Sequence, residues 1–240
     1  TLQRHLPKVP IVSRYFSKKD INAFKEGDHF FLYEKMGAHP LKRGAQQGVY
    51  FSVWAPQAKE VSIVGSFNDW QAGWHTLNKR KDRSGLWEGF IACAKKGDHY
   101  RFHIKPKTGK KGVEKIDPFA FYHKIPPKMS SIIWDLAYRW HDQDWIKKRK
   151  RHHMGRKPLS IYEMHLGSWR RPHNKPEEFL NYRDIAQHLV THIKDLGFTH
   201  VEFLPVMEHP FYGSWGYQTL GYFAPTSRFG VPQDFMYLID

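Results

Sequence analysis

The pattern of apolar and polar positions changes character twice along the 240 residues. It begins as a helix. Ser17 followed by Asp20 has the spacing of a reciprocal N-cap, and Ile21 and Phe24 open an apolar stripe. This helix should stop by Gly27, and Phe30 to Met36 should form a second short helical piece closed by Gly37. From Gly48 the period becomes two. In GVYFSVWAP, Val49, Phe51 and Val53 alternate with Tyr50, Ser52 and Trp54, as a strand with one buried face requires. Further strands are expected at Glu60–Val64, Leu86–Cys93 and Tyr100–Ile104, with Gly, Asn, Asp and Pro punctuating the gaps. No intervening segment is long enough for a crossover helix, so these strands predict an all-β, immunoglobulin-like sandwich. Trp54, Trp74 and Trp87 should lie in its core, whereas Trp70 is turned outward by a chain reversal at Asn68 and Asp69.

Beyond Asp117–Ile133, which reads as irregular chain and a final strand, WDLAYRWHDQDW and a basic block form a linker that ends at Pro158. Helix and strand patterns then alternate. Ser160 to His165 reads as a strand with Glu163 and His165 on one face, because they are two apart. A loop rich in Pro and Asn leads to a helix over Tyr182–Leu196, capped by Asn181, striped by Ile185, Leu189, Ile193 and Leu196, and ended by Gly197. A second strand follows at His200–Leu204, completing a βαβ unit with parallel strands. After it comes a long ordered loop from Pro205 to Gly230, a kind of element that is usually functional. Its Tyr212, Trp215, Tyr217, Tyr222 and Phe223 are flat faces able to stack on sugar rings, or else a small aromatic core beneath the loop.

Composition narrows the class. With 40% hydrophobic and 16% aromatic residues the chain is globular. No run approaches the ~18 apolar residues of a membrane span. The first ten residues are polar and broken by prolines, unlike a secretion signal. Lone Cys93 cannot form an internal disulfide and fits a reducing, cytoplasmic setting. The formal net charge of +15 raises nucleic acid as a partner. However, the charge is spread along the chain, and its one dense block, Lys147–Lys157, reads as a solvated linker without any nucleic-acid-binding motif. The 16 histidines are scattered without ligand spacing, and there is no phosphate-cradling Gly-rich loop, so neither a metal nor a cofactor is expected.

Specific words identify a family resemblance. YEMHLGSW at Tyr162–Trp169 and the stretch His200–Asp234, with EHP, GSWGYQ and YFAPTSRFG, closely resemble the start of the catalytic barrel in 1,4-α-glucan (glycogen) branching enzymes of the α-amylase superfamily. LYEKMGAHP at Leu32–Pro40 resembles their lead-in. VSIVGSFNDW and GDHYRFHI, at Val61–Trp70 and Gly97–Ile104, resemble the small glycogen-binding module that precedes that barrel. The resemblance implies a helical lead-in over residues 1–40, a glycogen-binding-type sandwich over 41–135, a linker over 136–158, and over 159–240 the first βαβ unit and active-site loop of a truncated (β/α)₈ TIM barrel. It places Tyr217 on the tyrosine that stacks under the sugar at the point of cleavage, flanked by Trp215 and Gln218. Trp70 falls where a related kinase module stacks a glucose unit, and with Asn68 it makes the expected glycan-binding pair of this module. A second binding tryptophan of that module, expected near Gly109–Gly112, is absent.

The implied activity is transfer of an α-1,4-glucan chain to a 6-hydroxyl, forming an α-1,6 branch by retaining double displacement, with glycogen or another α-1,4-glucan as partner. The family's three acids lie on barrel strands four, five and seven, so no catalytic carboxylate is expected before Asp240 and the chain should be inactive alone. Glu208 stands on the expected active rim, within reach of sugar, but nothing in the sequence pairs it with a second acid. Two other readings stay open: a non-catalytic glycan-binding module, or a debranching or trehalose-releasing hydrolase of the same superfamily.

Overall fold

The computed structural model describes residues 15–108, 111–151 and 158–240, side chains 150 and 151 excepted. Positions 109 and 110 and the C-terminal half of the basic block thus lie outside the described residues. The chain divides into two compact units. One runs up to Lys124 and adds Lys128–Asp135 and Gly221–Phe223; the other comprises Ile125–Pro127, Leu136–Leu220 and Ala224–Asp240.

The first unit starts with α1, Lys18–Glu26. The Ser17 hydroxyl accepts from Asp20 N at 3.1 Å, and the Asp20 carboxylate accepts from Ser17 N at 2.8 Å, so two otherwise orphaned N–H groups are satisfied reciprocally. Gly27, at φ 84°, closes the helix in a left-handed conformation. The expected second helical piece is only one 3₁₀ turn, Leu32–Glu34. From Gly37 the chain is extended as β1, Gly37–Arg43, which runs across the expected boundary at residue 40.

β2 (Gln46–Trp54), β3 (Ala58–Gly65), β4 (His75–Thr76), β5 (Asn78–Lys79), β6 (Leu86–Ile91), β7 (His99–Pro106), β8 (Val113–Lys115), β9 (Tyr122–His123) and β10 (Ser131–Ile132) complete the sandwich. One sheet has the order β1-β2-β6-β5; the other has β4-β3-β7-β10-β9, with β8 pairing β7. Between them Val49, Phe51, Val61, Ile63, Ile91, Tyr100 and Phe102 form the main core. The sequence pattern implied one buried face on β2, but every residue from Gly48 to Val53 is buried. The cause is a second, smaller core in which Tyr50 and Leu86, on the outer face, pack with Phe16, Ile21 and Met36 from the segment around α1. The lead-in is therefore the cover of an otherwise wet sheet face.

Two of the three tryptophans expected in the core are not there. Trp54 is 57% exposed and Trp74 51% exposed, whereas Trp87 is buried. Trp54 is the last residue of β2, where its indole N–H reaches Ser84 O at 3.1 Å and its ring meets Phe24 only edge-on. Trp74 precedes β4 in a turn.

In the second unit the expected linker contains α2, Gln143–Arg151. Asp144 in its first turn and the basic run that follows suit the helix dipole at both ends. Next come β11 (Ile161–Met164), the single-turn α3 (Leu166–Trp169), α4 (Tyr182–Asp195) and β12 (His200–Phe203). β11 and β12 pair in parallel, Ile161 opposite His200 and Glu163 opposite Glu202. Asn181 caps α4, accepting from Asp184 N at 2.9 Å, and Gly197 ends the turn at φ 75°. Ile185 and Leu189 are buried as the stripe requires, but Leu196 is 58% exposed because it caps the helix beyond its last turn. Tyr162, Met164, Val201 and Phe203 face α4 and share its core. β13 (Met207–Glu208), β14 (Gly221–Pro225) and α5 (Pro232–Ile239) follow. Among the described residues no helix is long and apolar enough to cross a membrane.

Candidate functional site

Two places combine exposed aromatic surface with fixed backbone, one in each unit. In the second unit the loop after β12 is anchored by a buried carboxylate. Glu208 is fully buried and accepts hydrogen bonds from Thr226 Oγ1 at 3.1 Å, Ser227 N at 2.7 Å, Ser227 Oγ at 2.6 Å and Arg228 Nη1 at 3.1 Å. Arg228 also donates to His209 O at 2.9 Å. Every strong acceptor site of the carboxylate is thereby engaged. This overturns the expectation that Glu208 touches sugar: it closes the base of the loop.

Above that base the chain turns tightly. Gly216 is required, since a Cβ there would lie 2.3 Å from Pro205 O and its φ is 90°. Trp215, at φ 56°, closes the 3₁₀ turn Tyr212–Ser214 in a left-handed conformation that a bulky side chain rarely adopts. Its indole lies nearly parallel to His165, with centroids 5.5 Å apart and planes 20° apart. His165 follows the last residue of β11, and Ser168 Oγ lies 3.0 Å from its Nδ1. Burial, then the nearby His209 and Arg171, hold the His165 imidazole below its ordinary pKa, so the stacked ring is neutral at pH 7. Tyr217 follows with its ring 70% exposed, and Gln218 beside it is exposed too. Trp215, Tyr217 and Gln218 therefore stand together on one turn. Two of the five loop aromatics are engaged otherwise: Tyr212 packs against Phe179, and Phe223, which counts with the first unit, stacks on Phe119 at 5.0 Å. His165 is the residue that sequence reasoning missed. Its position just past the C-terminal end of β11 was the available signal.

In the first unit the turn after β3 presents Trp70. Asp69 and Trp70 both take positive φ, 50° and 58°. The turn is held from beneath by Asn68, whose Oδ1 accepts from Gly65 N at 2.9 Å and whose Nδ2 donates to Ile63 O at 2.9 Å. Asn68 is buried and its amide also meets His75 Nδ1 at 2.8 Å. The expectation that Asn68 contacts glycan is thus corrected: no polar atom of it is left over, and its role is to shape the turn. Trp70 itself is 40% exposed on the rim of a pocket of about 400 Å³, whose other lining residues are Ser66, His99, Arg101, Lys124, Lys128 and Ser130. Nothing local in the sequence links Trp70 to lysines more than 50 positions away, so the basic lining was not foreseen. Among the described residues no group of His, Cys, Asp and Glu could hold a metal ion.

The comparisons with known proteins agree with this architecture. Residues 35–120 match Carbohydrate-binding module 48 (Isoamylase N-terminal domain). Over 235 residues the chain is 50% identical to the 1,4-alpha-glucan branching enzyme GlgB of Aquifex aeolicus, a match covering 98% of this chain and 36% of that protein. It is also 50% identical over 224 residues to the GlgB of Albidiferax ferrireducens, covering 93% of this chain and 35% of that one. The catalytic module of the multi-modular glycogen-degrading pneumococcal virulence factor SpuA shares the fold, with a TM-score of 0.65 at 21% identity over 90% of this chain and 36% of that one. The chain spans about a third of the length of the curated relatives it matches. Across nearly all of its own length the chain is thus similar to 1,4-alpha-glucan branching enzymes.

Proposed function

We propose that this chain is the part of a glycogen-branching enzyme that grips the α-1,4-glucan, while the carboxylates that break and remake the glycosidic bond are supplied from outside residues 1–240. The observation that carries the reading is the 50% identity to branching enzymes over 98% of the chain. In a retaining transfer one carboxylate attacks the anomeric carbon and an acid ~5–5.5 Å away protonates the leaving oxygen. A 6-hydroxyl of a second chain then resolves the glycosyl-enzyme. The contribution of this chain is the platform: Tyr217, exposed and carried on a turn fixed by Gly216 and the Glu208–Arg228 pair, stacks beneath the sugar at the point of cleavage, with Trp215 and Gln218 beside it. β11, α4 and β12 are the opening of the (β/α)₈ barrel, so the turn stands at the C-terminal rim where such barrels gather their chemistry. We place the protein in the cytoplasm, in keeping with its lone Cys93.

The test uses the full enzyme from its source cells and amylose as substrate. New α-1,6 links should appear, and Tyr217→Ala should lower their rate by about tenfold or more. The 240-residue chain alone should form none. Release of maltose or trehalose in place of branches would overturn the reading in favour of a hydrolase. A second reading, an autonomous glycan-binding module, is favoured by one observation: the sandwich closes its own core. It predicts retention on glycogen that Trp70→Ala abolishes.

A further inference from the structure

The pocket beside Trp70 has a chemistry that a neutral glucan does not call for. Apart from the indole, its charged lining is cationic, Arg101, Lys124 and Lys128, beside His99 and the hydroxyls of Ser66 and Ser130. Among the described residues no carboxylate and no side-chain amide lines it. A neutral sugar presents hydroxyls that must both donate and accept, whereas a phosphate monoester presents acceptor oxygens and negative charge.

The charges divide into two kinds. Arg101 is committed, donating from Nε to Met129 O at 3.1 Å and from Nη1 to Glu114 at 3.0 Å, with its guanidinium 5.7 Å from the centre of the Trp70 ring. It props the platform. Ser66 Oγ is likewise engaged with Asp98 at 2.9 Å, and His99 Nδ1 with Ser130 Oγ at 2.8 Å. Lys124 and Lys128 are different, because among the described residues neither is paired with a carboxylate. Burial, and then the Lys124 charge, hold His99 below its ordinary pKa. Lysine is a mobile point charge suited to phosphate oxygens.

We infer that the Trp70 pocket selects an anionic sugar, a glucan chain carrying a phosphate monoester, with the sugar ring on the Trp70 indole and the phosphate between Lys124 and Lys128. The inference rests on the reading of Trp70 as a glycan platform and adds the class of glycan that it prefers. It makes this surface a sensor of phosphorylated branches on the polymer.

The experiment titrates the whole chain, by calorimetry at low salt, with maltoheptaose, with maltoheptaose bearing a single 6-phosphate, and with inorganic phosphate. The phosphorylated chain should bind about tenfold more tightly than the neutral one, an advantage that shrinks with added salt. A Lys124→Gln, Lys128→Gln double variant should erase that advantage, so that the phosphorylated and neutral chains bind alike. Both lysines are exposed, so the fold should survive, and circular dichroism checks it. Equal affinity for the two glucans, both dependent on Trp70, would overturn the selectivity while leaving the glycan platform intact. Binding of neither glucan would overturn the platform itself. Inorganic phosphate binding as tightly as the phosphorylated glucan, or an advantage that survives the double variant, would also sink the inference.

Discussion

β2 and β11 show how differently the two units protect a strand. On β2 six consecutive residues are buried, with Phe51 facing one core and Tyr50 another, because a second sheet covers one side and the α1 segment the other. On β11 and β12 only one face is covered. Tyr162, Met164, Val201 and Phe203 meet α4, while Ile161, Glu163, His200 and Glu202 stand exposed on the opposite face. Glu163 and Glu202 are also opposite one another in register, an arrangement of like charges that costs stability unless something else neutralises it. The first unit is thus finished within this chain. The second presents a face suited to further packing, which fits a chain that spans about a third of its relatives' length.

The largest effects should come where burial is complete. Phe51→Ala removes a wholly buried ring from the main core and should cost the first unit about 3–5 kcal/mol, read as a loss in urea unfolding free energy. Arg228→Ala should cost the second unit a comparable ~3–5 kcal/mol, because it leaves the Glu208 carboxylate buried without its counter-charge. Hydrogen exchange should then rise in the loop from Pro205 to Gly230 and not in the sandwich. Equal loosening of both units would contradict their separate cores.

A smaller effect lies in the pH dependence of the sandwich. Asp117 is buried, and its pKa is raised to about 6 although Tyr100 OH donates to it at 2.5 Å and Phe119 N at 2.8 Å. Burial outweighs those bonds. Its unfolded value is about 3.9, so the native chain holds the proton longer. The stabilisation from Asp117 is complete below about pH 4 and is lost as pH rises through 6, amounting to about 2–3 kcal/mol in all. Comparing urea midpoints of the parent and Asp117→Asn between pH 4 and 7 isolates this contribution, which the variant should lack.

Much of the fold was legible because it is local. Ser17 with Asp20, Asn181 with Asp184, and Gly197 mark helix ends through bonds spanning three residues, and each stands where the sequence put it. What escaped notice depends on distant partners. Tyr50 looked solvent-facing because the residues that bury it, Phe16 and Met36, belong to a segment that reads as a mere lead-in. Asn68 and Glu208 are polar residues in words typical of a binding site, and only the structure reveals that their polar atoms are used inward, on Gly65 and Ile63 or on Ser227 and Arg228. Trp70, Trp215 and Tyr217 are exposed aromatics in Gly-rich turns, and of these the sequence reading turned Trp70 outward.

The smallest prediction tests the comparison most directly. Ile161 is as apolar as Ile63, and both lie on paired strands, yet Ile161 is 52% exposed and Ile63 wholly buried. If exposure governs the cost, Ile161→Ala should change the unfolding free energy of this chain by no more than about 0.5 kcal/mol, whereas Ile63→Ala should cost about 2–5 kcal/mol. The same Ile161→Ala change, made in the longer branching enzyme proposed above, should become expensive, rising toward the cost at Ile63, because closure of the proposed barrel would bury that face of β11. A cost that stays near zero in that longer enzyme would mean that this face is never covered, and that β11 and β12 do not open a barrel.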